Sequence, residues 1–538
     1  MEKNIVTDGL PSPIINYISH LEARNKSLES QVDNLMESLR LLQKARFGSS
    51  SEKLRYILTD ANAAIQETLF NEAEAVAEVE EAPEPVIVKK HVRKPKRTKE
   101  ELAKELPVHD VIIDIPEEER ICNICESDLH PIGKELVRSE LSVIPAQAYL
   151  TKTYRVNYSC CACHKETDEA NIVKPQVPVP VVNKGLASPS SIAYTMYQKY
   201  VNAQPLYRQE KDWGNFGVDI SRGTLANWMI YACEHWLISL WDAWKVLLLV
   251  APIIFADETV IQVLKEKGKT PQSESRMWVY GTGTTGPAPI VLYEYQPSRS
   301  GEHAKQFLQI DEPFYLQTDA YIGYDKVANA IHCGCYSHLR RKFNEAMPKS
   351  PPKDNPAYIG LRYCQKLFKL EEEFAELLPD ERLRQRQQQS KPVVDAFFAW
   401  IDTLDPLAGS KLATAVTYAR NQRDRLQVFL QDGRIEISTN RIENAIRPFA
   451  VGRRNWLFAD TVKGARSSAI AYSIIETAKL SGINPYKYLL YVLTELPTVL
   501  TNDPKADLSA YFPWANGVAD RCHSLKKEMD LALLESNL

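Results

Sequence analysis

The sequence predicts a multidomain α+β protein whose α/β part is split by a helical insertion. Three observations carry that expectation. A heptad seam lies near the N-terminus, and two Cys-x-x-Cys pairs flank a strand-like stretch. After residue 250 the pattern reads strand-strand-strand-helix-strand-strand-helix, with an acid at the ends of the first and fourth strands. At about 150 residues per domain, the 538 residues make roughly three to four structural units. Apolar residues are 44% and charged residues 25%, a balance that excludes collagen-like, fully disordered and membrane-embedded chains. Lys and Arg total 65 against 69 Asp and Glu, a net charge of −4, so a surface for a polyanion must be local. The longest apolar run, Val246 to Ala256, is 11 residues, too short for a bilayer. No apolar signal core follows Met1, and a cytoplasmic location is expected.

Residues 11–48 read as a coiled coil. Ile14, Ile18, Leu21, Asn25, Leu28, Val32, Leu35, Leu39 and Leu42 alternate by four and three, with leucines at d and Asn25 at an a position. A buried Asn there favours a parallel, in-register pair, and Arg24 stands at the g-to-e offset from Glu29 of an interchain ion pair. The segment therefore predicts a homodimer or higher oligomer; an amphipathic helix packed on its own chain shows the same seam. Residues 49–105 read as a flexible linker, acidic from Glu72 to Glu84 and then basic from Lys89 to Lys99, a composition that cannot build a core.

Residues 106–175 read as a zinc ribbon-like domain. Cys122-x-x-Cys125 and Cys160-x-x-Cys163 flank Leu136 to Tyr158, and four thiolates close a tetrahedral site around one structural Zn²⁺. Cys161 is the spare thiol, and the 34 residues between the pairs are more than a common ribbon has. Residues 176–250 read as helical. Within them, Gln209 to Met229 fits a helix-turn-helix about Gly217, with Ser221 as N-cap and Leu225 and Trp228 inward, which leaves Arg222, Thr224 and Asn227 for DNA. A plain helical hairpin fits the same residues.

From residue 251 the chain predicts a ribonuclease-H-like α/β catalytic core in two parts, 251–350 and 436–485, around a helical insertion at 351–435 and before a C-terminal segment at 486–538. Strands are expected at Ala251–Ala256, Met277–Gly281, Ile290–Tyr295, Phe314–Thr318 and Ala330–Gly334, with helices at Glu302–Gln309 and Tyr336–Ala346. Asp257 and Asp319 follow the first and fourth strands. Two adjacent carboxylates repel, and divalent cations that clamp an in-line phosphoryl displacement give a reason to bring them together. Hard cations take oxygen ligands, so two Mg²⁺, replaceable by Mn²⁺, are expected. Glu443 is the third acid, on a helix capped by Ser438 or Thr439, and no Lys or Arg is adjacent to any of the three. Arg340, Arg341, Lys342, Arg447, Arg453 and Arg454 are candidate phosphate contacts. Trp456 reads either as a base-stacking ring or as core, and His338 either as active-site support or as a structural histidine.

The chain resembles the transposases of the insertion-sequence 66 family, a branch of the DDE superfamily. The matching pieces are Arg46-Phe-Gly-Ser-Ser-Ser-Glu-Lys53, both Cys-x-x-Cys pairs, Leu206-Tyr-Arg-Gln-Glu210 and Ser221-Arg-Gly-Thr-Leu-Ala-Asn-Trp228. They continue with Asp257-Glu-Thr, Asp319-Ala-Tyr-Ile-Gly-Tyr324, Cys335-Tyr-Ser-His338-Leu-Arg-Arg-Lys-Phe, Asn440-Arg-Ile-Glu443-Asn-Ala-Ile-Arg-Pro and Gly452-Arg-Arg-Asn-Trp-Leu-Phe458. The resemblance implies a nucleoid-associated enzyme that cleaves DNA at the terminal inverted repeats of a mobile element and transfers the 3′-hydroxyl into target DNA. Asp257, Asp319 and Glu443 would be its metal-binding triad, and small proteins of the same element its partners. Two positions depart from the family pattern. Ser438-Thr439-Asn440 replaces Asp-Asn-Asn, and Tyr336-Ser337 replaces Trp-Ala. An inactive DNA-binding regulator and a structure-specific nuclease are the alternative functions.

Overall fold

The computed structural model describes residues 147–159, 172–173, 175–286, 288–348, 351–352 and 354–522, together with Arg24. The heptad seam apart from Arg24, the linker and the four candidate zinc ligands lie outside them. Two units divide the chain: Met1–Thr98 with Asp405–Ala413, and Lys99–Leu404 with Thr414–Leu538. The elements that follow belong to the second, apart from the first three residues of the helix at Lys411–Asn421.

A short antiparallel pair, β1 (Tyr158–Ser159) and β2 (Ile172–Val173), comes first. Residues 147–157, expected as strand, carry no regular structure, because an alternating pattern becomes a strand only with a partner ladder and no described residue supplies one. Helices α1 (Pro189–Tyr200), α2 (Leu206–Asn215), α3 (Arg222–Ala232) and α4 (Ile238–Leu249) follow. Ser188 and Ser191 form a capping box at the start of α1, with Pro189 in the first turn. Gly217, at φ 82°, takes the left-handed conformation that the turn between α2 and α3 requires. Ser221 caps α3 by accepting from the Thr224 N–H, and Leu225 and Trp228 are buried.

The sheet is built from β3 (Ile253–Lys265), β4 (Glu274–Thr282) and β5 (Val291–Gln296), then α5 (Gly301–Phe307), β6 (Phe314–Gln317), β7 (Ala330–Cys333) and α6 (Tyr336–Ala346). Its order is β5-β4-β3-β6-β7; the first three strands are antiparallel, and β6 and β7 run parallel to β3. Ile253 to Ala256 form a continuous buried run, paired on both edges by β4 and β6, as in a strand covered on both faces. Asp257 does not end its strand. β3 continues for eight more residues, the first five along β4, alternating in burial, because β6 stops at Gln317 while β4 does not.

The insertion is helical, as expected: α7 (Pro356–Glu373), α8 (Pro379–Gln385), α9 (Lys391–Asp402), α10 (Lys411–Asn421) and α11 (Arg423–Gln427). Arg386, with no exposed surface, pairs with Glu371 and donates to the carbonyls of Phe429, Asp432 and Ile435. The end of the insertion returns to the sheet through bonds from Gly334 N–H to Arg425 O and from Tyr336 N–H to Ile437 O.

The chain then forms α12 (Asn440–Trp456), β8 (Ala459–Thr461), α13 (Val462–Leu480), α14 (Pro485–Asn502) and α15 (Val518–Arg521). β8 pairs parallel with the far end of β3. α13 lies along β5, and its hydroxyls take the place of a neighbouring strand. Ser473 Oγ accepts from Tyr293 N–H at 2.7 Å, and Thr477 Oγ1 bonds both N–H and carbonyl of Val291 at 3.0 Å. α14 packs on α1, and Thr498 Oγ1 accepts from Val179 N–H. The C-terminal segment thus completes the helical region. Among the described residues no helix is long and apolar enough to cross a membrane.

Candidate active site

The strand register brings the first two acids together. In the parallel pair β3–β6, Phe255 stands opposite Gln317, so Asp257 and Asp319, each two residues on, reach the same level. Asp257 Oδ1 accepts from the Glu258 N–H at 2.7 Å, and Asp319 Oδ1 accepts from the Tyr321 N–H at 2.9 Å. Glu443 enters from the first turn of α12, which lies over the sheet with Ile442 against Gly281 of β4. Its side chain is 5% exposed. Burial first, and then the charges of Glu258, Asp319 and Glu443, push the Asp257 carboxyl well above the usual range.

Around Glu443 stand four groups. Of the two expected caps of α12, Ser438 and Thr439, it is Thr439 that occupies the N-cap position, but with no side-chain cap bond; its hydroxyl donates instead to Glu443 Oε1 at 2.7 Å. The same hydroxyl lies 3.1 Å from Cys335 Sγ, which also accepts from the Thr439 N–H at 3.3 Å. His338 Nδ1 is 3.7 Å from Glu443 Oε1, and Arg341 Nη2 is 3.6 Å from Oε2. No Lys or Arg is adjacent to Glu443 in the chain, but α6 brings Arg341 to it from 102 positions away in sequence. Burial opposes charge on His338, but Cys335 and Glu443 outweigh it and raise the imidazole to about 9. Among the described residues, the ligand atoms of Cys335, His338 and Glu443 lie within 4.8 Å of one another, a closeness the three acids do not share.

A fourth carboxylate, unforeseen in the sequence, stands beside Asp257. Glu258 is 2% exposed in its side chain; it accepts from Arg299 Nε at 2.6 Å and from the Tyr324 hydroxyl at 2.7 Å. Burial and the charge of Asp319 raise it to about 7, against the opposing pull of Arg299 and Tyr324. Arg299 stacks over the Tyr321 ring at 4.1 Å, and the Tyr321 hydroxyl donates to the Arg299 carbonyl. The Asp319 turn is thereby tied to β3 by its own tyrosines. The available signal was the second acid of Asp257-Glu258 and the two tyrosines after Asp319.

The residues expected to meet DNA divide into two groups. Arg222, Thr224 and Asn227 are exposed on α3, and Arg447 and Arg454 on α12. The others are held against the protein. Arg340 sits over the Phe368 ring, Lys342 over Tyr418, and Arg453 donates to the Val260 carbonyl. Trp456 is half-buried, edge-on to Phe449 with ring centroids 5.5 Å apart.

A strand, the turn after a second strand and a helix thus bring Asp257, Asp319 and Glu443 together, and the charges of the other acids hold Asp257 above the usual carboxylate range. The comparison with protein families narrows this. The family model described as "Transposase IS66 family" matches residues 184–467, and the chain belongs to that family. Three further models match: "IS66 C-terminal element" at 473–514, "zinc-finger binding domain of transposase IS66" at 119–164, and "Transposase C of IS166 homeodomain" at 34–111. The zinc-finger match spans all four candidate cysteines and points to a structural zinc; the transposase match points to a divalent metal. Similar proteins occur in Sinorhizobium fredii (strain NBRC 101917 / NGR234). "Uncharacterized protein y4qI" is 30% identical over 92% of this chain and 91% of its own length. "Uncharacterized protein y4jD" is 30% identical over 78% and 82%.

Proposed function

We propose that the chain is a DDE-type DNA transposase that cuts the ends of a mobile element and joins the freed 3′-hydroxyl to target DNA. The observation that carries this reading is the convergence of Asp257, Asp319 and Glu443, two by parallel register and one by a helix laid across the same sheet. The strand order, three antiparallel strands followed by two parallel ones on the side of the first, supports a ribonuclease-H-like core. Divalent cations fit the donor set: all three acids offer oxygen, and their mutual repulsion on Asp257 is the charge a cation relieves. When bound, such ions supply counter-charge and Lewis acidity to a phosphoryl displacement.

The chain's own residues then have separable tasks. Thr439 and Arg341 hold the two oxygens of Glu443 in place. Arg299 and Tyr324 hold Glu258, and through it the Asp319 turn, against β3. Arg222, Thr224 and Asn227 offer an exposed helix face to duplex DNA, and Cys122, Cys125, Cys160 and Cys163 hold one Zn²⁺. The coiled coil pairs two chains, each bringing one element end. The test is incubation of the full chain with duplexes bearing the element's terminal repeats and Mg²⁺ or Mn²⁺. Asp257→Asn, Asp319→Asn and Glu443→Gln should each lower cleavage by about 10³-fold or more while retaining DNA binding. Near-normal cleavage by any one of them would remove that acid from the triad.

A further inference from the structure

α12 carries Glu443 in its first turn and ends in a strained tip. Leu457, at φ 65° and ψ −54°, is the centre of a γ-turn closed by a 2.8 Å bond from the Phe458 N–H to the Trp456 carbonyl. The positive-φ form of this turn is rare and costly for a residue with a Cβ, and a branched apolar side chain has no local reason to occupy it. Burial does not explain the choice. Leu457 is 61% exposed and Phe458 41% exposed, while Trp456 beside them is turned inward onto Phe449. The turn leads the chain from α12 into β8, yet it leaves the Leu457 and Phe458 side chains exposed together at the tip, and such an apolar pair points to a use outside the folded chain.

The helix face leading to the tip shows what would meet it. Asn440, Asn444, Arg447, Val451, Arg454 and Asn455 are its exposed residues. They carry two positive charges and no acid, since the helix's one acid, Glu443, is buried toward the carboxylate cluster. A stripe of Arg and Asn suits a phosphate backbone. At 1.5 Å per residue, Leu457 lies about 21 Å along the axis from Glu443, the length of roughly six base pairs.

We infer that Leu457 and Phe458 form an apolar wedge that enters the base stack of duplex DNA about six base pairs from the phosphate at the acid cluster, with Arg447 and Arg454 on the intervening backbone. Leu and Phe are residue types that open base steps in this way. The inference rests on the transposase reading for the position of the cut. The test uses the full chain and element-end duplexes with 2-aminopurine at successive positions. Fluorescence should rise about five to seven base pairs from the cleaved phosphate and stay flat elsewhere. Leu457→Gly relieves the turn, so its melting temperature should rise while the fluorescence signal falls; Leu457→Gly with Phe458→Ala should lose about tenfold or more in affinity, regained on a duplex with an abasic site at that step. Asp257→Asn should abolish cleavage and keep the signal, which separates the wedge from the chemistry. Binding and cutting with no local rise, or with a rise unmoved in Leu457→Gly, overturns the wedge alone. A chain that neither binds nor cuts any element end overturns both readings. A tip variant that handles DNA normally but changes the mass in solution assigns the tip to a contact between copies and overturns the wedge.

Discussion

Replacing Glu258 with Gln measures how repulsive the carboxylate cluster is. The folded protein raises this carboxyl from the ordinary 4.5 to about 7, through burial and then the charge of Asp319. The side chain is 2% exposed, so water screens little of the effect. An acid whose folded pKa lies above its unfolded value costs nothing below the unfolded value, costs more as pH rises, and costs the full amount above the folded one, here about 7. That span corresponds to about 3 kcal/mol. The substituted amide has no charge to bury, and its oxygen still accepts from Arg299 or Tyr324. In metal-free protein, Glu258→Gln should match wild type within about 0.5 kcal/mol at about pH 4 and exceed it by about 3 kcal/mol at about pH 8. Relief of Asp257, which also carries the Glu258 charge, acts in the same direction. Urea midpoints at the two pH values, with chelator present, give the measurement, and Mg²⁺ added to wild type should narrow the gap at the higher pH. An equal gain at both pH values, or a loss at the higher one, would show that Arg299 outweighs the repulsion and refute the reasoning.

Thr439→Val removes the hydroxyl from Glu443 while keeping the shape. Cleavage and divalent-metal affinity should fall about 10- to 100-fold and recover in Thr439→Ser, read by metal titration and single-turnover cutting. Gly301→Ala would place a methyl 2.0 Å from the Gly323 carbonyl oxygen, forcing α5 off the Asp319 turn at a cost of about 1–3 kcal/mol; a urea midpoint within error of wild type would contradict the contact. Reduced, freshly purified protein should hold one zinc per chain by elemental analysis, lost when Cys122 and Cys160 are both changed to Ser.

The order of the catalytic elements was legible because each strand carries its own apolar run between glycine, proline or polar breaks; α6 has the predicted bounds, Tyr336–Ala346. What escaped was whatever depends on a distant neighbour. β8 is three residues, Ala459-Asp460-Thr461, whose strand character comes from the ladder with β3 and not from any pattern of their own. The extension of β3 past Asp257 is set by how far β4 reaches. Glu258 meets Arg299 across 41 residues, and Glu443 meets Arg341 across 102, spacings that no local periodicity encodes. The zinc lobe is supported by a family match, and the coiled coil remains an expectation from the heptad seam; the candidate zinc ligands and the seam lie outside the described residues.

The insertion between β7 and α12 has a consequence for timing during synthesis. Asp257 and Asp319 leave the ribosome early, but Glu443 follows Asp319 by 124 residues, and the α13 hydroxyls that close the β5 edge come later still. At roughly 5–20 residues per second, the interval from second acid to third is about 6–25 s. Throughout it, the nascent chain carries an acid pair without its third member and a sheet with an open edge. A truncated product ending inside the insertion would bear the residues of α3 and none of the complete cluster. On the proposed function, early termination would therefore release a competitor for element ends and not a second cutter.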